Sequence, residues 1–271
     1  VGCGKNAKST LMNLHYNTFG VVGSDGYAHK LTVDYLTQTR TNSSAAQSEL
    51  MPLKHARTTT LSEPGAGQPI MENKLKTLLA GETLTGRGLF ENEQNFNVNS
   101  NFILGSNNEV KMEGGFRGSR KYAYDYGTLR RVIMCSAECF FTSTPDSKKP
   151  HHRKADAKIM DLYVKDPEYH GAYLSLLSIV YGLFIMQHDE SIMNICSPNI
   201  AKETDAWRRS FDTIDAFINA RCIKSPNHEC PMATIIDAYI SWHDGAYGSG
   251  YIHERDQIMH AFLSSKLENY I

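Results

Sequence analysis

The chain has almost no excess charge. Its 28 lysines and arginines meet 29 aspartates and glutamates, for a formal net charge of −1. No global field therefore draws a polyanion, and any contact with nucleic acid has to come from local basic patches. Long apolar runs are missing too: no eighteen consecutive apolar residues occur. The most apolar stretch, 172–186, is interrupted by Tyr173, Ser175, Ser178, Tyr181 and Gly182. It is expected to be a buried helix, and no membrane partner is expected. The first residues carry no signal-peptide pattern. None of the six cysteines forms a C-x-x-C pair. Cys222, His228 and Cys230 lie close together, but structural zinc takes four ligands in two close pairs, so scattered reduced thiols are the expectation. No internal repeat is visible. What is present is the composition of a folded protein: 41% hydrophobic and 21% charged residues over 271 positions. That length is enough for one large core with one or two smaller units.

Against this plain background the stretch Gly2-Cys3-Gly4-Lys5-Asn6-Ala7-Lys8-Ser9-Thr10 stands out. Its spacing is that of a phosphate-binding loop, G-x-x-x-x-G-K-[ST], with Ala7 where the second glycine belongs. In such a loop backbone N–H groups curl around phosphates, the lysine adds a point charge, and the hydroxyl ligates magnesium. The residues after it read as a helix over 8–19, whose N-terminal dipole completes an anion site. A phosphate loop normally follows a buried strand. The loop begins at residue 2, so that strand is expected upstream, in a longer chain.

Farther along, threonine-rich residues 56–61 have strand propensity and close on the turn Ser62-Glu63-Pro64-Gly65. A carboxylate just past a strand is where parallel α/β sheets place their chemistry. Residues 71–80 suit a short amphipathic helix capped by Gly81. Residues 84–90 and 96–98, around the acidic tip Glu91-Asn92-Glu93-Gln94, suggest a hairpin. An apolar strand then ends in Ser106-Asn107-Asn108, and a glycine-rich basic loop fills 109–126. Arg130-Arg131 precede a second apolar stretch, 132–135, expected as a strand. Residues 144–154 read as a polar linker. Helices are expected over 155–187, 205–222, 231–242 and 254–267, with a glycine-rich turn at 245–250. The expected division is 1–145, 146–190 and 191–271.

The order of these motifs resembles the AAA+ ATPases of helicase superfamily 3, in particular the primase-helicases of poxviruses and other large DNA viruses. The matching residues are Gly2, Gly4, Asn6 and Lys8-Ser9-Thr10; Arg57 with Ser62-Glu63-Pro64; Lys76, Leu78, Gly81-Glu82, Thr85 and Arg87; Phe102-Ile103-Leu104 and Asn107; and Asp125 with Arg130-Arg131. Asp205, Trp207-Arg208, Asp212, Asp215 and Phe217 resemble the start of the C-terminal domain of that group. The resemblance covers nearly the whole chain. It implies an α/β AAA+ P-loop NTPase core, a parallel sheet flanked by helices with its first strand missing here, followed by a small helical or winged-helix-like domain.

The resemblance also implies ATP and Mg2+, held by Gly2, Gly4, Asn6, Lys8, Ser9 and Thr10, with Ser9 and Glu63 as metal ligands. Glu63 would activate the attacking water and Asn107 would hold it. Arg131, preferred to Arg130, would be an arginine finger offered to a neighbouring subunit. A ring of six on single-stranded DNA, a primase domain upstream and a viral replication site in the host cytoplasm are the further implications. On composition, Arg117, Arg120 and Lys121, interleaved with aromatics, are better placed than the acidic hairpin tip for DNA contact. Taken singly, Glu63 as a turn carboxylate, Asn107 as a turn amide and the arginines as solvated charges are the plain alternatives. A DNA-packaging or remodelling ATPase and a hydrolysis-weak assembly module remain as rival functions.

Overall fold

The computed structural model describes residues 4–38, 48–65, 68–88, 90–108, 110–112, 126–187, 197–223, 225, 228–247 and 254–264. In chain order the elements are α1 (Lys8–Phe19), β1 (Ala28–Leu31), α2 (Asp34–Thr37), β2 (Thr58–Leu61), α3 (Glu72–Ala80), β3 (Thr83–Gly86), β4 (Gln94–Asn97), β5 (Asn101–Leu104), α4 (Tyr126–Leu129), β6 (Phe140–Thr142), β7 (His152–Lys154), α5 (Pro167–Gln187), α6 (Pro198–Arg209), α7 (Thr213–Arg221), α8 (Met232–Tyr247) and α9 (Arg255–Ser264). The fold is mixed α/β, with small parallel sheets and helices, consistent with a P-loop core. Two compact units form, neither continuous in sequence. The first takes Val1–Lys111 and Cys135–Ser197, the second Met112–Met134 and Pro198–Ile271.

The first unit is built on a parallel sheet of order β1-β2-β5. Ala28, Thr58 and Asn101 align at one end, and Leu31, Leu61 and Leu104 at the other. All four residues of the central strand β2 are buried, three of them threonines. Buried hydroxyls need partners: Thr59 Oγ1 pairs with Ser100 Oγ at 2.8 Å, and Thr58 Oγ1 with His15 Nε2 at 2.9 Å. Leu31, Leu36, Leu50, Leu53 and Leu78 are fully or almost fully buried beside the sheet. Helix α3 ends as its sequence dictates, on Gly81 at φ 67°, whose N–H reaches back to the last turn. The expected hairpin is β3 paired antiparallel with β4, Thr83 opposite Asn97 and Gly86 opposite Gln94.

His15 ties three elements of this unit together, bonding Thr58 on β2 and Tyr173 OH on α5 (3.3 Å) from its place on α1. Burial pushes its pKa below the ordinary 6.5. His29 is lowered the same way, desolvation outweighing a bond with the Glu49 backbone. The unfolded chain takes up these protons near pH 6.5 while the folded one resists. The stabilisation is therefore complete above that pH and is lost as pH falls toward the lowered folded values. Denaturant unfolding at about pH 7.5 and 5.5 is expected to show lower stability at the acid value, with a shallower dependence for His15→Gln. An identical dependence in the variant would remove His15 from the account.

Several expectations fail, each for a local reason. Residues 132–135 form no strand; their backbone groups are engaged by side chains of α6 instead. The polar stretch 144–154 is not only a linker, because β7 pairs in parallel with β6, His152 opposite Phe140. The segment 155–187 is split into a π-helical turn, Ile159–Tyr163, and α5, which opens on Pro167, a residue suited to the first helical turn. The helix expected over 205–222 is two helices, since Asp212 caps α7 by accepting from Asp215 N–H at 2.9 Å. Helix α8 runs through Gly245 to Tyr247, so the expected turn does not begin there. Helix α5 is apolar but not buried: Ile179, Tyr181 and Met186 are 60%, 65% and 84% exposed. Over Pro167–Met186 its mean hydropathy is 1.4, enough by length and composition alone to cross a membrane.

Among the described residues of the second unit the regular elements longer than one residue are the helices α4 and α6 to α9. Its core is Ile214, Phe217, Ile218, Ile236, Tyr239, Ile258 and Phe262. Phe217, Tyr239 and Phe262 meet edge to face, with centroids 5.5–6.0 Å apart. The buried Tyr239 hydroxyl is satisfied by Thr213 Oγ1 at 2.7 Å.

Candidate active site

The carboxyl ends of the three parallel strands and the start of α1 enclose a cavity of about 560 Å³. Brought together in its wall are the loop Gly4–Thr10, Lys30 and Thr32 from the end of β1, Ser62 and Glu63 beyond β2, and Gly105 and Asn107 beyond β5. This is the edge at which open parallel sheets bind ligands. Its lining holds three lysines, Lys5, Lys8 and Lys30, against one carboxylate, Glu63. The balance suits an anion.

The loop has the backbone geometry that an anion cradle needs. Gly4, Lys5 and Ala7 all have positive φ, at 80°, 48° and 61°. Left-handed residues set among right-handed ones turn successive N–H groups inward. Ala7 is the N-cap of α1 and has no side-chain cap bond, so the helix terminus opens on this cradle. Its φ explains why a glycine stands at this position in the motif. A left-handed L-residue costs about 1–2 kcal/mol, while glycine costs more conformational entropy in the unfolded chain. Ala7→Gly is accordingly expected to raise stability by about 0.5–1 kcal/mol without weakening phosphate binding. A loss of both in an unfolding and titration series would show that the methyl is a needed contact.

The loop is braced from the far side of the chain. Asn6 is buried and its Nδ2 donates to Ala137 O at 3.2 Å, while Phe141 N–H donates to Lys5 O at 2.7 Å. Within the cavity, Lys8 Nζ donates to Asn6 Oδ1 at 3.0 Å and to Asn107 Oδ1 at 2.8 Å. Asn107 in turn holds Glu63: its main-chain N–H donates to Oε1, and Nδ2 donates to Oε2 at 3.0 Å. Ser106 Oγ, buried, donates to Asn108 O at 2.7 Å and approaches Glu63 Oε1 at 3.4 Å. One asparagine side chain thus links the lysine to the carboxylate. Ser9 is exposed at the same opening, and Thr10 lines it.

The other expected site residues fall elsewhere. Gly2 and the basic residues Arg117, Arg120 and Lys121 lie outside the described residues. Arg130 and Arg131 belong to the second unit, on an exposed turn after α4. Among the described residues no group of three or more His, Cys, Asp or Glu is placed to hold a metal by itself. Ser9 and Glu63 provide two oxygen donors at one opening. A divalent cation that keeps its waters and takes the rest of its shell from phosphate fits such a pair. Sequence reasoning missed Lys30, which sits on a strand too short and polar to be recognised, and the brace at 137–141, for which no local signal exists.

A parallel sheet with a left-handed, lysine-bearing loop and a carboxylate–amide pair at its carboxyl edge defines a candidate phosphate-handling site of the P-loop type. Similarity to known proteins narrows this. No family model matches the chain. It is 26% identical over 246 residues to "Putative primase C962R" of African swine fever virus, strain Badajoz 1971 Vero-adapted, covering 90% of this chain and 24% of that protein. The same figures hold for the protein of that name from the Tick/Malawi/Lil 20-1/1983 isolate. It is 23% identical over 265 residues to "Putative helicase L207/L206" of Acanthamoeba polyphaga mimivirus, covering 88% of this chain and 26% of that protein. The chain spans about a quarter of the length of the curated relatives it matches. These similarities support a superfamily 3 helicase-type region of a large DNA virus primase-helicase.

Proposed function

We propose that this chain is the ATP-hydrolysing motor of a viral replicative helicase, working as a ring that moves on single-stranded DNA inside the infected cell. One observation carries the reading: Lys8, Asn107 and Glu63 come from a loop and two strand ends far apart in sequence, yet form one bonded chain beside the left-handed turn of Gly4, Lys5 and Ala7. Hydrolysis of a nucleoside triphosphate is mostly positioning and electrostatics. Lys8 would hold the terminal phosphates, and Ser9 with Glu63 would hold magnesium, which neutralises charge on the phosphate oxygens. Glu63 would orient and deprotonate the attacking water, with Asn107 fixing both. Arg131 would reach the nucleotide of the next subunit in the ring. The names of the viral relatives supply the replication context, and a primase domain upstream in the full protein is part of the same proposal.

The test is ATP hydrolysis with and without single-stranded DNA, followed by strand displacement on a forked duplex. DNA-stimulated hydrolysis with displacement is the expected result. Stimulated hydrolysis without displacement would favour a packaging or remodelling ATPase, and nucleotide binding without phosphate release an assembly module. For the DNA contact, alanine at Arg117, Arg120 and Lys121 together is expected to weaken single-strand affinity. It should also reduce the slope of log K against log salt by about 2, or roughly 0.7 for each phosphate no longer neutralised. An unchanged slope would assign the DNA to another loop.

A further inference from the structure

The turn that carries Arg130 and Arg131 is gripped by one helix of its own unit. Arg131 N–H donates to Thr128 O and Val132 N–H to Leu129 O, both at 3.1 Å, closing the turn. Arg208 on α6 then spreads its guanidinium across the same backbone. Nε donates to Leu129 O at 3.1 Å, and one terminal nitrogen to Arg130 O at 3.3 Å and Val132 O at 3.1 Å. Its other terminal nitrogen lies 3.6 Å from Asp205, and the side chain is only 16% exposed. One helical turn earlier, on the same face, the fully buried Thr204 accepts from Met134 N–H at 3.0 Å and faces Met134 O at 3.4 Å. The backbone on both sides of Arg131 is therefore fixed by two α6 side chains, while Arg130 and Arg131 themselves are exposed.

We propose that Arg208 is a positioning residue for Arg131: by binding three carbonyls around it, Arg208 fixes the backbone from which the finger extends. The inference rests on the reading of Arg131 as a finger. The chemistry favours arginine for the task. A guanidinium is planar, always charged, and presents a rigid fork of five donors, whereas an ammonium is a point charge on a flexible stem that cannot span these carbonyls in one geometry. A finger also has strict tolerances. A misplacement of about 1 Å can cost about a hundredfold in rate, so an exposed turn outside any sheet needs such an anchor.

The experiment compares Arg208→Ala, Arg208→Lys and Arg131→Ala in the assembled protein, measuring kcat and KM for ATP and the activity of mixed rings. Arg208→Ala is expected to lower kcat about a hundredfold with KM within about twofold, and Arg208→Lys to fall between it and the wild type. Mixed with Lys8→Ala subunits, Arg208→Ala should regain activity, because some interfaces then pair an intact loop with a well-placed finger. Mixed with Arg131→Ala subunits it should regain none, since no subunit offers a working finger. Full kcat in Arg208→Ala beside an inactive Arg131→Ala overturns the positioning role and leaves the finger. Full activity in Arg131→Ala overturns the finger itself. Failure of both Arg208 variants to assemble or to unfold cooperatively reduces Arg208 to a structural clamp and also overturns the proposal.

Discussion

Lys8→Ala is expected to bring ATP hydrolysis below detection and to weaken nucleotide binding about 10- to 100-fold, the worth of one hydrogen bond to a charged group at roughly 1.5–3 kcal/mol. The effect has two parts. On the proposed function the phosphates would lose the cation aimed at them, and Asn107 loses the donor that holds its Oδ1 at 2.8 Å. Glu63 is oriented through Asn107, so the group proposed to activate water would be loosened as well. Glu63→Gln separates the parts. It leaves Lys8 and the cradle in place, so nucleotide binding should survive while turnover is lost with the base. The replacement amide keeps one of the two bonds: with its oxygen toward the Asn107 main-chain N–H, its Nε2 faces Asn107 Nδ2, and turning the Asn107 amide over would set a donor against Lys8 Nζ. Full turnover in Lys8→Ala, with the unfolding midpoint unchanged, would make the loop structural. Lost binding in Glu63→Gln, with normal turnover per bound nucleotide, would make Glu63 chiefly a metal ligand.

Arg131→Ala is expected to lower hydrolysis about a thousandfold or more, the scale on which arginine fingers act in NTPases. The residue belongs to a different unit from the loop of Lys8. If the guanidinium serves a neighbour, hydrolysis depends on assembly, and specific activity should climb steeply with protein concentration. Mixing settles the matter. Arg131→Ala subunits bring intact loops and Lys8→Ala subunits bring intact fingers, so mixed rings should recover part of the wild-type rate although each parent is nearly inactive. No recovery in rings shown to be mixed, or full activity in a dilute monomer, would sink the assignment in trans. Arg130→Ala is the control, expected to lose far less.

How much of this could be read from the sequence depends on how local each signal is. The loop and α1 were legible because phosphate binding dictates spacing within nine residues, and α1 runs over Lys8–Phe19 as expected. β2, β5, the hairpin and the Gly81 cap were legible for the same reason: each carries its propensity or turn residue within a short window. The strand β1 was not, because Ala28-His29-Lys30-Leu31 is four residues long and half polar, and only pairing with β2 makes it a strand. β7 likewise exists only through β6. Residues 132–135 show the opposite error. Apolar and β-branched, they read as a strand, but their hydrogen bonds go to Thr204 and Arg208, 70 or more positions away. At the candidate site, the place of Glu63 and Asn107 just beyond two strands was legible and their bond was not, since it joins residues 44 apart in sequence. Helix α5 misled in a further way. Composition reports that a segment is apolar; it does not report what, if anything, covers it.

The discontinuity of the second unit has a kinetic meaning. Its first segment, Met112–Met134, leaves the ribosome well before the helices that complete it, with Cys135–Ser197 of the other unit in between. During synthesis, domains form from the N-terminus onward. The phosphate loop and its sheet can close early, apart from their later braces, but the turn bearing Arg131 waits for α6 to deliver Thr204 and Arg208. Closing that long gap adds an entropic cost before any contact repays it. The nascent chain would then gain the means to hold a nucleotide before it gains a fixed finger to offer a neighbour. On the proposed function, ring contacts formed on a half-made chain would be unproductive, and competence to hydrolyse would arrive last, as a by-product of the order in which the chain is made.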